Sequence, residues 1–226
     1  MRIAVIIVAA GDSRRMGSAA NKALLTVAGK PVLRYVLDMW QDIATEILVA
    51  ARLDDWSAIN DIAASYGGAI RLVAGGKHRA ASVMQALATF DNNALPDLIA
   101  VHDAARPLTK KRDIIKVIEA AKHKGAAILA APIVNTIRYR VGDSCGAFLP
   151  RDELLAAQTP QIFLAKRLMA AYAAADETTL AKATDDAALV ISAGYPCAYV
   201  WASSSNLKLT YPEDLLVAEA ILRREN

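Results

Sequence analysis

Ile3-Ala4-Val5-Ile6-Ile7-Val8-Ala9-Ala10-Gly11-Asp12-Ser13-Arg14-Arg15-Met16-Gly17 is the stretch that decides the fold. Its first seven residues are apolar and largely β-branched, with none of the alternation of a strand that wets one face. A central parallel strand covered on both faces has this pattern. The run then breaks into a loop rich in glycine and arginine. Further out, apolar runs keep alternating with amphipathic ones. Residues 31–40 place Val32, Leu33, Val36, Leu37 and Trp40 at helical spacing, and Pro31 suits a first turn. Residues 46–51, 70–73, 98–102 and 126–131 read as further strands. Residues 56–66 read as a helix ended by Gly67-Gly68, and 79–90 and 112–122 as two more. This βαβα rhythm predicts a Rossmann-like three-layer αβα sandwich with a mostly parallel twisted sheet and ligands at the carboxyl ends of its strands.

The rhythm breaks at Pro132. Residues 135–141 alternate apolar and polar, Gly142, Asp143, Ser144 and Gly146 make a turn, and 147–149 form a return strand. Residues 133–150 are therefore expected to be a β-arm. An arm without its own core packs on a partner, which predicts a homodimer. Residues 164–174, 185–193 and 212–224 read as helices, and 198–202 and 207–209 as short strands. With no repeat or linker, residues 1–226 are expected to be one domain carrying the arm.

Bulk composition narrows the function classes. Lys plus Arg outnumber Asp plus Glu by 26 to 23, a net +3 that does not argue for nucleic acid. Lys110-Lys111-Arg112 reads as a solvated helix start. Two distant cysteines, Cys145 and Cys197, form neither a disulfide framework nor a zinc site. No apolar run reaches membrane-spanning length, and the N-terminal run ends in the basic loop, so a cytoplasmic protein with no membrane association is expected.

Chemistry concentrates in a few segments. In the first loop, Ala9, Ala10, Gly11 and Gly17 let the backbone approach a ligand, and amides in such a turn cradle phosphate oxygens. Arg14, Arg15 and Lys22 add positive charge. Neither GxxxxGK[ST] nor GxGxxG is present. The segment Gly75-Gly76-Lys77-His78-Arg79-Ala80-Ala81-Ser82 follows a strand and opens a helix, so Gly75 and Gly76 can read a base edge while Ser82 adds a hydroxyl. In His102-Asp103-Ala104-Ala105-Arg106-Pro107, Asp103 stands at a strand end and needs a cation partner. Arg106 either binds a substrate phosphate or pairs with Asp103, and His102 reads as a packed histidine rather than a base. Gln158-Thr159-Pro160-Gln161 reads as a polar turn, and Thr184-Asp185-Asp186 as a helix cap. Lys208, inside the apolar segment 206–210, needs an anionic partner or an exit to solvent.

Together these segments resemble the 2-C-methyl-D-erythritol 4-phosphate cytidylyltransferases. The resemblance rests on Ala-Ala-Gly-x-Ser-x-Arg-Met-Gly with Lys22, Gly-Gly-x-x-Arg-x-x-Ser, residues 101–107, Gln158-Thr159-Pro160-Gln161 and Asn206-x-Lys208-x-Thr210-x-Pro212-Glu213-Asp214, in order along nearly the whole chain. It implies transfer of CMP from CTP to 2-C-methyl-D-erythritol 4-phosphate, with release of pyrophosphate and with Mg²⁺, in non-mevalonate isoprenoid synthesis. It also implies that Arg15, Lys22 and Lys208 act on the triphosphate. Ala10, Gly76 and Ser82 would then surround cytosine, and Asp103 the ribose and substrate diol. Arg106, Thr159 and Thr184 would line the polyol phosphate, with Thr136 and Arg151 reaching a partner subunit's substrate. The chain departs from the family pattern at Asn21, where Pro is usual, at Leu24, where an aromatic is common, and at Lys77, where an acidic residue is frequent.

The chemistry agrees. A phosphate monoester is largely dianionic at neutral pH, so it attacks the α-phosphorus without a general base and the site needs cations. Three other readings compete. These are a cytidylyltransferase for ribitol 5-phosphate, a nucleotidyltransferase for sugar 1-phosphates or a molybdopterin, and a non-catalytic nucleotide-binding module.

Overall fold

The computed structural model describes residues 1–11, 16 and 21–224. Among these, a seven-stranded sheet forms the centre, in the order β11-β7-β10-β6-β1-β4-β5. Its strands are β1 (Ile3–Val8), β4 (Glu46–Ala51), β5 (Ile70–Ala74), β6 (Leu98–Asp103), β7 (Ala126–Pro132), β10 (Leu155–Leu164) and β11 (Ala198–Trp201). β1 pairs in parallel with β4 and β6, β4 with β5, and β7 with β11, while β10 runs antiparallel to both β6 and β7. The sheet is thus mostly parallel, as the sequence predicted, with one reversed strand inserted.

Alternation along the strands feeds two cores. Ile3, Val5 and Ile7 face α1 (Val32–Trp40), α2 (Trp56–Ala63) and α4 (Lys111–Lys124), where Trp40, Ile59 and Val117 are fully buried. Ile6, Leu48 and Ile99 face α3 (Arg79–Leu87), α5 (Ala165–Ala174), α6 (Glu177–Lys182) and α7 (Asp186–Ser192). α8 (Pro212–Arg223) closes a third, smaller cluster around Val32, Leu108 and Leu209. Burying one such aliphatic side chain stabilises by about 1.5–3 kcal/mol, so the two faces carry most of the folding free energy.

Two small sheets stand outside the main one. β2 (Thr26–Val27) pairs with β3 (Lys30–Pro31), and β8 (Ile137–Val141) pairs with β9 (Ser144–Leu149). The second is a hairpin within 133–150, on which Tyr139, Val141 and Phe148 are exposed. Lys111 begins α4 and pairs with Asp42 at the surface, as a solvated helix start should.

Two expectations fail. Residues 158–161 are not a free turn but lie within β10, where the register shifts between Gln158 and Gln161. The shift takes Pro160, which has no N–H to give, out of the regular ladder. Residues 207–209 form no strand, and their backbone is tied to the site by a bond from Leu209 N–H to Ala105 O at 2.8 Å.

Candidate active site

The chain runs β1, β4, β5 to one side and then returns to place β6 on the other. That reversal opens a crevice beyond the carboxyl ends of β1 and β6. A cavity of about 450 Å³ lies there, lined by Ala9, Ala10, Gly11, Lys22, Asp103 and Lys208 among others, within the size range of small-molecule sites. A second cavity of about 160 Å³, lined by Arg106, Gln158, Thr159 and Thr184, shares Arg79, Asp103 and Lys208 with the first.

The wall at residues 75–82 is built by close approach. A Cβ on Gly75 would stand 2.3 Å from Ala10 Cβ, and one on Gly76 would stand 2.5 Å from Ala81 Cβ. Both positions therefore demand glycine. Ser82 lines the cavity, but its hydroxyl serves the loop, accepting from Gly76 N–H at 3.0 Å and donating to His78 O at 3.2 Å. His78 Nδ1 caps α3 by accepting from Ala81 N–H at 3.0 Å. Lys77 is turned outward onto Glu177 Oε1 at 2.6 Å, so its charge sits on the rim.

Asp103 is the electrostatic centre. Lys208 Nζ donates to its Oδ2 at 2.7 Å, Arg79 Nε donates to its Oδ1 at 3.1 Å, and Arg106 Nε stands 4.0 Å away. Burial works against the charge on Asp103, but Arg79, Lys208 and Arg106 outweigh it and hold the carboxyl well below the usual carboxylate range. Both sequence-level demands are met here, since Asp103 has its cations and Lys208 its anion. Arg79 continues to Asp186, its Nη1 lying 2.8 Å from Oδ2, and Tyr172 Oη donates to Asp186 Oδ1 at 2.6 Å. Burial lowers the tendency of Arg79 to hold its proton, while Asp186 and Asp103 raise it further, so its charge is permanent.

Behind Asp103 runs a neutral chain of hydrogen bonds. Trp40 Nε1 donates to His102 Nδ1 at 2.8 Å, which leaves the ring proton on Nε2 to face Thr109 Oγ1 at 3.3 Å. Thr109 donates to Asn206 Oδ1 at 2.8 Å, and Asn206 Nδ2 donates to Gln158 Oε1 at 2.8 Å and Thr159 O at 3.2 Å. Arg106 Nη1 donates to Asn206 O at 2.8 Å, and Thr159 Oγ1 accepts from Asp103 N–H at 3.0 Å. His102 is fully buried. Burial lowers its pKa to about 3, so it is a neutral connector and not a base.

The two cavities thus gather Ala9, Ala10, Gly11, Lys22, Gly76, Ser82, Asp103, Arg106, Thr159, Thr184 and Lys208, with Gly75 packed behind. Arg15 and Gly17 lie outside the described residues. Thr136 and Arg151 line neither cavity. Both are exposed, and Arg151 Nη1 donates to Val134 O at 3.2 Å beside the hairpin. Sequence reasoning missed the roles of Arg79, Thr109 and Asp186. A signal was available for Arg79, because an arginine in the first turn of a helix beside a strand-end aspartate has few other places to put its charge.

The family model for 2-C-methyl-D-erythritol 4-phosphate cytidylyltransferase matches residues 3–224. The chain belongs to this family. It is 39% identical over 233 residues to the 2-C-methyl-D-erythritol 4-phosphate cytidylyltransferase of Rhodopirellula baltica, covering 97% of this chain and 94% of the relative. It is 36% identical over 226 residues to that of Halalkalibacterium halodurans, covering 98% and 97%. The crystal structure of the Thermus thermophilus family member superposes with a TM-score of 0.79 at 34% identity, over 99% of this chain and all of that one. The family fold is therefore the sheet and crevice described above.

Proposed function

We propose that this chain transfers the cytidylyl group of CTP to 2-C-methyl-D-erythritol 4-phosphate, releasing pyrophosphate. The observation that carries the reading is two cavities meeting at Asp103, Lys208 and Arg79. The larger takes CTP, with its base against residues 75–82 and its ribose at Asp103. The smaller takes the polyol phosphate, held by Arg106, Thr159 and Thr184. A phosphate oxygen of the polyol phosphate attacks the α-phosphorus. The new P–O bond forms as the α–β bridging P–O bond breaks, and the electron pair leaves with pyrophosphate. No proton needs to move.

Lys22 and Lys208 supply positive charge where it is needed in that step, and Arg15 joins them by resemblance to the family. Mg²⁺ is proposed as an ion carried by the triphosphate. Among the described residues, the larger cavity offers one carboxylate, Asp103, and no group of three or more His, Cys, Asp or Glu side chains could hold a metal. One carboxylate plus phosphate oxygens is an ordinary Mg²⁺ donor set. Such an ion neutralises phosphate charge.

A homodimer through the β8–β9 hairpin is also proposed, supported by its exposed Tyr139, Val141 and Phe148. In it Thr136 and Arg151 would serve a neighbouring subunit's substrate. A cytoplasmic location is proposed as well; no helix among the described residues is long and apolar enough to cross a membrane.

The deciding experiment is pyrophosphate release with methylerythritol 4-phosphate and each of CTP, ATP, GTP and UTP, repeated with ribitol 5-phosphate. Release with CTP and methylerythritol 4-phosphate is expected to dominate. A preference for ribitol phosphate, or no release with any polyol phosphate, overturns the assignment.

A further inference from the structure

Lys22 starts a three-residue 3₁₀ turn, Lys22–Leu24, that is too short to fix its own position. Ala23 packs into the core and Lys22 Nζ donates to Leu209 O at 3.3 Å, and the entry to the turn is held by the residue before it. Asn21 is 2% exposed, and its amide is used in full. Oδ1 caps the turn by accepting from Ala23 N–H at 3.0 Å, while Nδ2 donates to Ala9 O at 2.7 Å and to Asp55 Oδ2 at 2.9 Å. One acceptor and two donors on a short stem is a combination that neither Asp nor Ser offers.

The two anchors are themselves fixed. Ala9 directly follows β1, and its N–H donates to Ala50 O at 2.8 Å. Asp55 follows β4 and is gripped by the Arg52 guanidinium, with Nε at 2.8 Å and Nη2 at 3.2 Å from its two oxygens. That fork is directional and strong. Asn21 thus bolts the turn bearing Lys22 to the carboxyl ends of two neighbouring strands, on the wall of the larger cavity, where Arg52 also lies.

We infer that Asn21 is a positioning residue for Lys22, acting through a brace formed with Ala9 O, Asp55 and Arg52. The inference rests on the proposed role of Lys22 at the triphosphate. A displacement of about 1 Å in such a group costs on the order of 100-fold in rate. Asn21→Ala is therefore expected to lower kcat by about 10- to 100-fold while the KM for CTP moves by less than about threefold, because the cavity wall at residues 75–82, which Asn21 does not touch, stays in place. Added to Lys22→Ala, the same change should cause no further loss, since the residue it acts through is already gone.

Asn21→Asp supplies a signature that loss of packing cannot imitate. It sets a second carboxylate against Asp55, and one of the pair takes up a proton more readily than usual. The protonated pair regains one donor, so kcat of the variant relative to wild type should rise as pH falls from 8 to 5.5. Pyrophosphate release by the full chain reads every arm. If wild type shows none with CTP, the functional reading fails and the brace with it. If wild type turns over, the brace is overturned by an Asn21→Ala kcat within twofold of wild type, or by equal losses with and without Lys22. If Asn21→Ala does not fold, a flat Asn21→Asp to wild-type ratio across pH overturns it.

Discussion

His102 and Asp103 follow one another at the carboxyl end of β6, and alternation sends their side chains to opposite faces of the sheet. Both are buried and both are polar. On one face His102 meets Trp40 and Thr109, and each contact is a neutral hydrogen bond. On the other face Asp103 meets Lys208, Arg79 and, at longer range, Arg106, and each contact is between charges. The neutral face fixes position, for it ties β6 to Asn206 and Gln158 through dipoles without net charge. The charged face supplies field, since three cations surround a carboxylate next to the cavity floor. An anion-binding crevice requires both, and one dipeptide delivers them to opposite sides of a strand.

The comparison can be tested first where the difference is greatest. Asp186 is fully buried and completes the charge of Arg79. Asp186→Ala should lower stability by about 3–5 kcal/mol in equilibrium denaturation, because the half-buried Arg79 guanidinium loses the nearer of its two carboxylates and Tyr172 loses its acceptor. A loss below about 1 kcal/mol would show that the charged face is not held by its ion pairs. Lys208→Ala should fold, because Asp103 keeps Arg79, yet its kcat should fall about 100- to 1000-fold, equivalent to about 2.7–4 kcal/mol in the barrier. Unchanged turnover would remove Lys208 from the step.

Acid separates the two faces. Folded His102 titrates near 3, below the ordinary histidine value of 6.5, so between these values the unfolded chain binds a proton that the folded chain refuses. Stability should therefore fall as pH drops from about 6.5 toward 3, by up to about 1.4 kcal/mol per unit. Asp103 has a depressed pKa, so its contribution is present above the usual carboxylate range and is lost only as pH falls below it. Denaturation of wild type and His102→Gln between pH 6 and 4.5 should differ in slope, with wild type losing about 2 kcal/mol more. Parallel curves would mean that His102 takes up its proton in the fold. The smallest effect belongs to Thr109, where replacement by Val breaks the neutral chain at its middle. About 1 kcal/mol is expected, largely restored by Thr109→Ser. Equal melting of the Val and Ser variants would show that the hydroxyl is idle.

Much of this was legible from residue order. The run at 3–9 announced a strand covered on both faces, and Asp103 was legible as needing a cation and Lys208 as needing an anion or solvent; that the two meet each other at 2.7 Å was not, for the neighbour in sequence, Arg106, stands at 4.0 Å. Residues 158–161 misled because Gln, Thr and Pro together have the chemistry of a turn. Only the slot between β6 and β7, with its register shift, makes them a strand. The pairing of Arg79 with Asp186 was hidden because it joins the first turns of α3 and α7, which lie far apart in the chain. No local pattern links two such positions. Asn21 looked like a defect in a motif because its value lies in three contacts, two of them to residues remote in sequence.

The reversed strand has a consequence for how the chain is made. Synthesis delivers β1, β4, β5 and β6 first, and these can assemble as a four-stranded parallel sheet. β7 then emerges with α4 to pack on but no strand to pair with, because the place beside β6 belongs to β10 and β7 pairs with β10 and β11. Until residue 164 has left the ribosome, β6 is a bare apolar edge, open to any other strand that passes. The last third of the chain therefore acts as an internal guard, and a ribosome stalled between residues 132 and 155 would release a sticky fragment rather than a smaller working protein.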